Sequence, residues 1–479
     1  MSESDERRIV MPAQNVHETD QPPREPIHII GVGGSATRGL ACFLRSLGHA
    51  VTGSDQDPDC RSNLEDHGVT FHEGHSACHL ADDVRIVVHT RAIRPSNPEL
   101  LEARKRPEVK IYTYSEYLGL ISERMATIAV AGTHGKTSTT ACLFSVFQSA
   151  DRDPSMIVGG EVVQIQAGWH QGTGTEFLVE ACEFDKAFLD LKPKAAIITN
   201  VDLDHPEIYK DLESVRHTFR EFLANLEDGS WVVCPVEVKE ALKVDDRLRW
   251  RTFGVENNAD LQLKESDSVA GSSKVLWRWT DGREFTATLH VPGAHTRSNA
   301  SAVVAMSEVL NLSFEDIARG LESYRGVCRR FEKREVLPGI EWIEDYAHHP
   351  EEVRATVETA REVYPNQRIH ALFQPHQATR LSAFRKGFAE ELSRADQVTL
   401  LPIFSVREEL DQFPRDLVDQ LAAEIRQMGK ECQVTDFENA VSELPKHLQS
   451  GDVLISIGAG NVYQVGNLVR ENQRSQVTP

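Results

Sequence analysis

Apolar runs of strand length recur along the chain, each followed by a polar or glycine-rich turn and then by apolar positions at helical spacing. Residues 27–30 form the first run, followed by Gly31-Val32-Gly33-Gly34-Ser35-Ala36 and a helical pattern through about residue 47. A second strand over 50–53 ends at Asp55. The theme restarts at 126–131, where an apolar strand runs into Gly132-Thr133-His134-Gly135 and a helix opened by Lys136 and Thr137. Residues 177–179 and 195–199 predict strands ending at Glu180 and Asn200. From about 250 to 291 the pattern alternates, with runs at 274–280 and 284–290, and predicts antiparallel strands. Helical spacing returns over 296–310 and 314–323. A third stretch places strands at 340–343, 369–373, 397–401 and 453–457, with helices at 350–364, 380–394, 414–428 and 437–449. Strands alternating with helices predict an α/β protein built on parallel sheets.

A chain of 479 residues exceeds one hydrophobic core and suggests about three domains. The formal charge of −21, from 52 basic and 73 acidic residues, argues against a nucleic-acid partner. No apolar stretch approaches the ~18 residues of a membrane span. Eight cysteines without a CxxC pair read as reduced thiols, mostly core filler, in a cytoplasmic protein; Cys182 is among those expected to pack. Residues 1–26 are polar and proline-containing and predict a disordered tail.

Chemistry concentrates where strands end, because the carboxyl ends of a parallel sheet share one rim. The turn from Gly132 to Ser138 aims backbone N–H groups and a helix N-terminus at an anion. Lys136 adds a point charge for the β/γ-phosphates, and Thr137 a hydroxyl for Mg²⁺. Glu180 ends a strand on the same rim, where a carboxylate can hold Mg²⁺, and His205 is the candidate second-metal ligand. Arg330, at the join between the second and third units, can stabilise charge on a transferring phosphoryl group. Gly31, Gly33, Gly34 and Ser35, with Asp55 about 20 residues on, form a dinucleotide-type fingerprint that any diphosphate can use. His348-His349-Pro350 is read either as a metal pair or as a loop closed by proline at a helix start.

Together these motifs resemble the Mur ligase family over residues 27 to about 468. The shared segments are Gly31 to Ala41, Gly53-Ser54-Asp55, Ala131–Thr137 and Glu180-Ala181-Cys182-Glu183-Phe184-Asp185. Asp204-His205, Gly293-Ala294-His295 with Asn299, Arg329-Arg330-Phe331, Asp345 to Pro350 and Phe373-Gln374-Pro375-His376 continue the series. Thr296 departs from the family's usual Asn, Gln377-Ala378 from its Arg-Tyr, and Asn461 from its Asp.

The resemblance implies an N-terminal Rossmann-like UDP-sugar domain (27–123), a central P-loop-type ATP-binding α/β domain (124–328) and a C-terminal Rossmann-like domain (329–479) that closes over ATP and binds the amino acid. It implies ATP-dependent ligation of L-alanine to the carboxylate of UDP-N-acetylmuramate, with two Mg²⁺ ions held through Thr137, Glu180 and His205 and no redox cofactor. Catalysis falls to Lys136, Glu180, His205 and Arg330. ATP falls to Gly132, Thr133, His134, Gly135, Lys136, Thr137, Ser138, Asn299, Arg330 and Asp345. The UDP-sugar falls to Gly31, Gly33, Gly34, Ser35 and Asp55, and the amino acid to His348, His376 and Arg380. A monomer or homodimer is expected. Three alternatives stay open: addition of a murein tripeptide to the same sugar nucleotide, a nicotinamide-dependent oxidoreductase using the glycine fingerprint, and a catalytically inactive regulatory binder, which the presence of the loop, acid and histidine disfavours.

Overall fold

In the computed structural model, residues 24–477 are described apart from 244–245, 270, 406–407 and 409–411. The expected disordered tail therefore lies, up to residue 23, outside the described residues. The chain folds around three sheets. The first has five parallel strands, in the spatial order Thr70–Glu73, Val51–Asp55, Ile27–Ile30, Ile86–His89, Lys110–Thr113. Ile27, Ile29 and Ile30 are fully buried, as a strand covered on both faces requires. On its rim the Ser54 hydroxyl donates to Glu99 at 2.6 Å, and His79 Nδ1 and His75 Nδ1 lie 2.8 and 3.2 Å from the same buried carboxylate.

The central sheet has ten strands. Within it, Ala126–Ala131 lies between Glu176–Ala181 and Ala195–Ile198, all three parallel. That order brings three strand ends to one point: the glycine turn, Glu180, and Thr199-Asn200. The strands expected from about residue 250 divide differently from the prediction. Arg249–Gly254 joins the parallel part beside Trp231–Pro235, because the helix Val236–Leu242 returns the chain to the same end of the sheet. Leu261–Val269 and Glu284–Leu289 each pair antiparallel with Ser272–Trp279 between them, with Trp277 fully buried against the helix Ala294–Val309 through an Nε1 bond to Ser301 Oγ of 2.8 Å.

The third sheet has six strands. Glu341–Asp345, Val453–Ile457, Ile369–Phe373, Gln397–Leu400 and Glu431–Val434 run parallel, and Glu332–Arg334 pairs antiparallel at the edge. The expected helix at 414–428 is Leu417–Gln427. Among the described residues, no helix is long and apolar enough to cross a membrane.

Candidate active site

The phosphate turn needs its two glycines. Gly132 has φ +139° and a Cβ there would overlap Thr199 Oγ1. Gly135 has φ +82°, caps the helix Lys136–Ser149, and a Cβ would fall 2.7 Å from Asn299 Oδ1. The turn is tied to the neighbouring strand end: His134 N donates to Asn200 Oδ1 at 2.8 Å, and Thr199 Oγ1 donates to His134 O at 2.6 Å. Lys136 Nζ donates to Gly132 O, Thr133 O and Glu183 Oε2 at 2.6, 2.9 and 2.9 Å, so its ammonium is held over the turn. Thr137 Oγ1 donates to Glu180, whose other oxygen accepts from Gly159 N.

Above this turn lies a cavity of about 280 Å³ between the central and C-terminal domains. His134, Gly135, Thr137, Ser138, Asn299, Arg330 and Asp345, all expected from the sequence, line it. So do His295, from the Gly293-Ala294-His295 motif, and residues the sequence reading did not single out, including Ser298, Glu352, Arg354 and Thr356. The central-domain lining ends with the helix Ala294–Val309, which carries Asn299. The C-terminal lining comes from the helix Pro350–Val363, started by proline at its first position.

Burial shapes the charges here. Burial lifts the Asp345 carboxyl to about 6, although Arg330 and the N–H groups of Ala347 and Phe331 pull it the other way. Burial and then Arg330 and Arg297 push His295 down to about 4, leaving it neutral. Burial alone would raise Glu352, but His348, His134 and Arg330 hold it well below the carboxylate range.

The proposed metal ligands divide. Thr137 and Glu180 touch beside the turn, an oxygen pair suited to a hard cation. His205 instead lies among Glu207 (3.4 Å from Nδ1), Arg380 (3.4 Å) and the Phe184 ring. Among the described residues, no group of three or more His, Cys, Asp or Glu is arranged to hold a metal.

Of the residues assigned to the amino acid, His348 and His376 have ring centroids 6.0 Å apart, and Arg380 Nη1 is 3.4 Å from His376 Nδ1. The Arg380 fork already holds a carboxylate: its Nε and Nη2 donate to Asp204 at 3.1, 2.9 and 3.1 Å, with the side chains 3% and 5% exposed. Cys182, expected to pack, is exposed. In the N-terminal domain Gly33 N donates to Asp55 Oδ2 at 2.8 Å, and a Cβ on Gly33 would fall 2.8 Å from Asp55 Cγ. Gly31 turns with φ +81°, and Ser35 opens the helix Ser35–Ser46. A smaller cavity of about 120 Å³ runs from Ser35 and Arg38 to Gly160 and Trp169 of the central domain.

Several non-glycine residues with positive φ lie at these segments: Asp185, Lys186, His205, Arg329, Phe331 and Gln377. Such conformations cost about 1–3 kcal/mol each and persist where surrounding structure enforces them.

Curated relatives extend over nearly the whole chain. A UDP-N-acetylmuramate–L-alanine ligase of Clostridium perfringens is 34% identical over 450 residues, 92% of this chain and 97% of that protein. One from Lachnospira eligens is 36% identical over 451 residues, covering 92% and 96%.

The chain belongs to the Mur ligase family.

Three Mur ligase family models match in order: "Mur ligase family, catalytic domain" over 26–125, "Mur ligase middle domain" over 130–307 and "Mur ligase, glutamate ligase domain" over 329–460. A solved UDP-N-acetylmuramate–alanine ligase of Thermotoga maritima superposes with a TM-score of 0.79 at 29% identity, covering 94% of this chain and 99% of that one. A murein peptide ligase of Psychrobacter arcticus shares the fold at 0.69 and 22% identity, over 93% of this chain and 98% of that one. The resemblance read from the motifs is thereby borne out, as is the three-domain α/β architecture. Within the Mur ligase frame, Glu352, Arg354 and Thr356 were missed because they reach the nucleotide cavity only when the third domain packs on the second. Glu352 had one local signal, an acid three residues after the helix N-cap His349, where capping acids reach back.

Proposed function

We propose that this chain joins L-alanine to the carboxylate of UDP-N-acetylmuramate at the expense of ATP. The carrying observation is the cavity over the glycine turn, closed on one side by Asn299 and on the other by Arg330 and Asp345, in a chain collinear with L-alanine ligases. The difficulty of the reaction is bringing a carboxylate to a triphosphate. Lys136 and Arg330 offset that repulsion, and the cavity walls keep water from the acyl phosphate that forms when the carboxylate attacks the γ-phosphate. In that first step the bond from the γ-phosphorus to the β,γ-bridging oxygen breaks and ADP leaves; the amine of L-alanine then attacks the acyl carbon, loses a proton, and phosphate leaves. Gly31 to Ser35, with Asp55, receive the UDP diphosphate, and His348 and His376 face the amino acid, while Arg380, expected there from the sequence, is engaged by Asp204 and lies beside His376. Thr137 and Glu180 would hold Mg²⁺, with His205 assigned to a second ion; the metal supplies charge neutralisation on the phosphates. The nucleotide substrates make the cytoplasm the expected compartment.

The deciding experiment measures phosphate release from ATP with UDP-N-acetylmuramate and L-alanine, glycine, L-serine or the L-Ala-γ-D-Glu-diaminopimelate tripeptide. Release driven mainly by L-alanine supports the reading. Release driven mainly by the tripeptide would replace it with a recycling ligase, and release with none would overturn it.

A further inference from the structure

Glu352 is the carboxylate that joins the nucleotide turn to the third domain. It sits on the first turn of the helix Pro350–Val363, its side chain 12% exposed. One oxygen lies 3.2 Å from His134 Nδ1 and 3.8 Å from Arg330 Nη1. The other accepts the backbone N–H of His348 at 2.9 Å and lies 3.2 Å from His348 Nδ1. His134 is anchored by its backbone to Thr199 and Asn200 of the central domain. Its side chain therefore spans the seam: backbone on one domain, imidazole on the other. The His134 and His349 rings, with centroids 4.7 Å apart and planes tilted by 38°, meet across the same seam.

A carboxylate buried in a cavity built for phosphates is unfavourable unless it has cations to hold. Here it has the Arg330 guanidinium and the His134 imidazole, and both residues line the cavity. We propose that Glu352 is a positioning residue which fixes His134 and Arg330 toward the nucleotide phosphates and thereby makes nucleotide binding depend on the seating of the third domain. This rests on the ATP reading of the cavity. Burial lowers the basicity of both histidines it meets. At His134 the Glu352 hydrogen bond and charge outweigh burial and the net shift is upward, whereas His348 is carried down to about 3. The loop histidine is the partner that Glu352 favours as a cation.

The test is a double-mutant cycle on nucleotide binding. Calorimetry with a non-hydrolysable ATP analogue and Mg²⁺ would compare the full chain with Glu352→Gln, His134→Gln and the double variant. The expected result is a loss of about tenfold in affinity for each single variant and no further loss for the double, because the two residues act as one unit. Glu352→Asp, which keeps the charge but shortens its reach, should weaken binding comparably, and it serves if Glu352→Gln does not fold. The KM for UDP-N-acetylmuramate should stay within about twofold, since that site lies on another domain. Multiplicative losses in the double variant, or equal rises in KM for both nucleotides, would overturn the proposal while leaving the ATP reading intact. Failure of the unmodified chain to bind the analogue would overturn both.

Discussion

Lys136 shows how much one side chain is asked to do. Its ammonium is held by two carbonyls of the turn and by Glu183, whose second oxygen is buried without a hydrogen-bond partner among the described residues. Desolvation works against its charge, but Glu183 and its neighbours reverse the balance and raise its proton affinity, so it stays charged throughout the working range. Lys136→Ala should lower kcat by about a hundredfold or more, in steady-state assays, with far less effect on melting temperature. Gly33→Ala tests the other rim. The added methyl meets the Asp55 carboxylate, so the KM for the UDP-sugar should rise about tenfold while ATP binding is unchanged in calorimetry. Both residues were legible in the sequence, because glycines at turns and a lysine at a helix start carry their reasons locally. Arg380 was legible as a cation for the amino acid; that it instead grips Asp204 across 176 positions has no local trace.

Among the elements, those with long buried runs were read well. Ile27–Ile30, Ala126–Ala131, Ile369–Phe373 and Val453–Ile457 lie where their hydrophobic pattern put them. Thr70–Glu73 and Glu431–Val434, at sheet edges with only one buried residue each, gave no such signal. The rim of the first sheet supplies an element-scale prediction. Burial alone would raise Glu99, but His28, Ser54 and His79 outweigh it and hold the carboxyl near 2, against 4.5 for the free group. Its contribution to stability is therefore present above pH ~4.5 and lost as the pH falls toward 2, about 3 kcal/mol in all. Glu99→Gln should lower the melting temperature at pH 7 by about 5 °C or more and flatten the acid side of the stability profile. An unchanged profile in calorimetric scans would remove Glu99 from that role.

For the whole molecule, the third domain is seated on the second by contacts far apart in sequence. Arg380 grips Asp204, His349 Nε2 lies 3.2 Å from Leu203 O, and Arg297 Nη1 donates to Glu362 at 2.7 Å. Removing one partner of a buried pair leaves the other uncompensated, at a cost of about 3–5 kcal/mol. Arg380→Ala should therefore enlarge the radius of gyration in solution scattering and cut kcat, since the seam that shields the acyl phosphate opens. An unchanged radius would show that the pair does not govern seating.

The nucleotide cavity is a seam rather than a pit, with walls on two domains, and that has a pharmacological consequence. A compound shaped to it acts as an adhesive between the two bodies, and its residence time follows how often they part. Apparent affinity then scales with the fraction of molecules already shut. Screening against the middle domain alone would present half a mould, and the tightest inhibitors would be missed there.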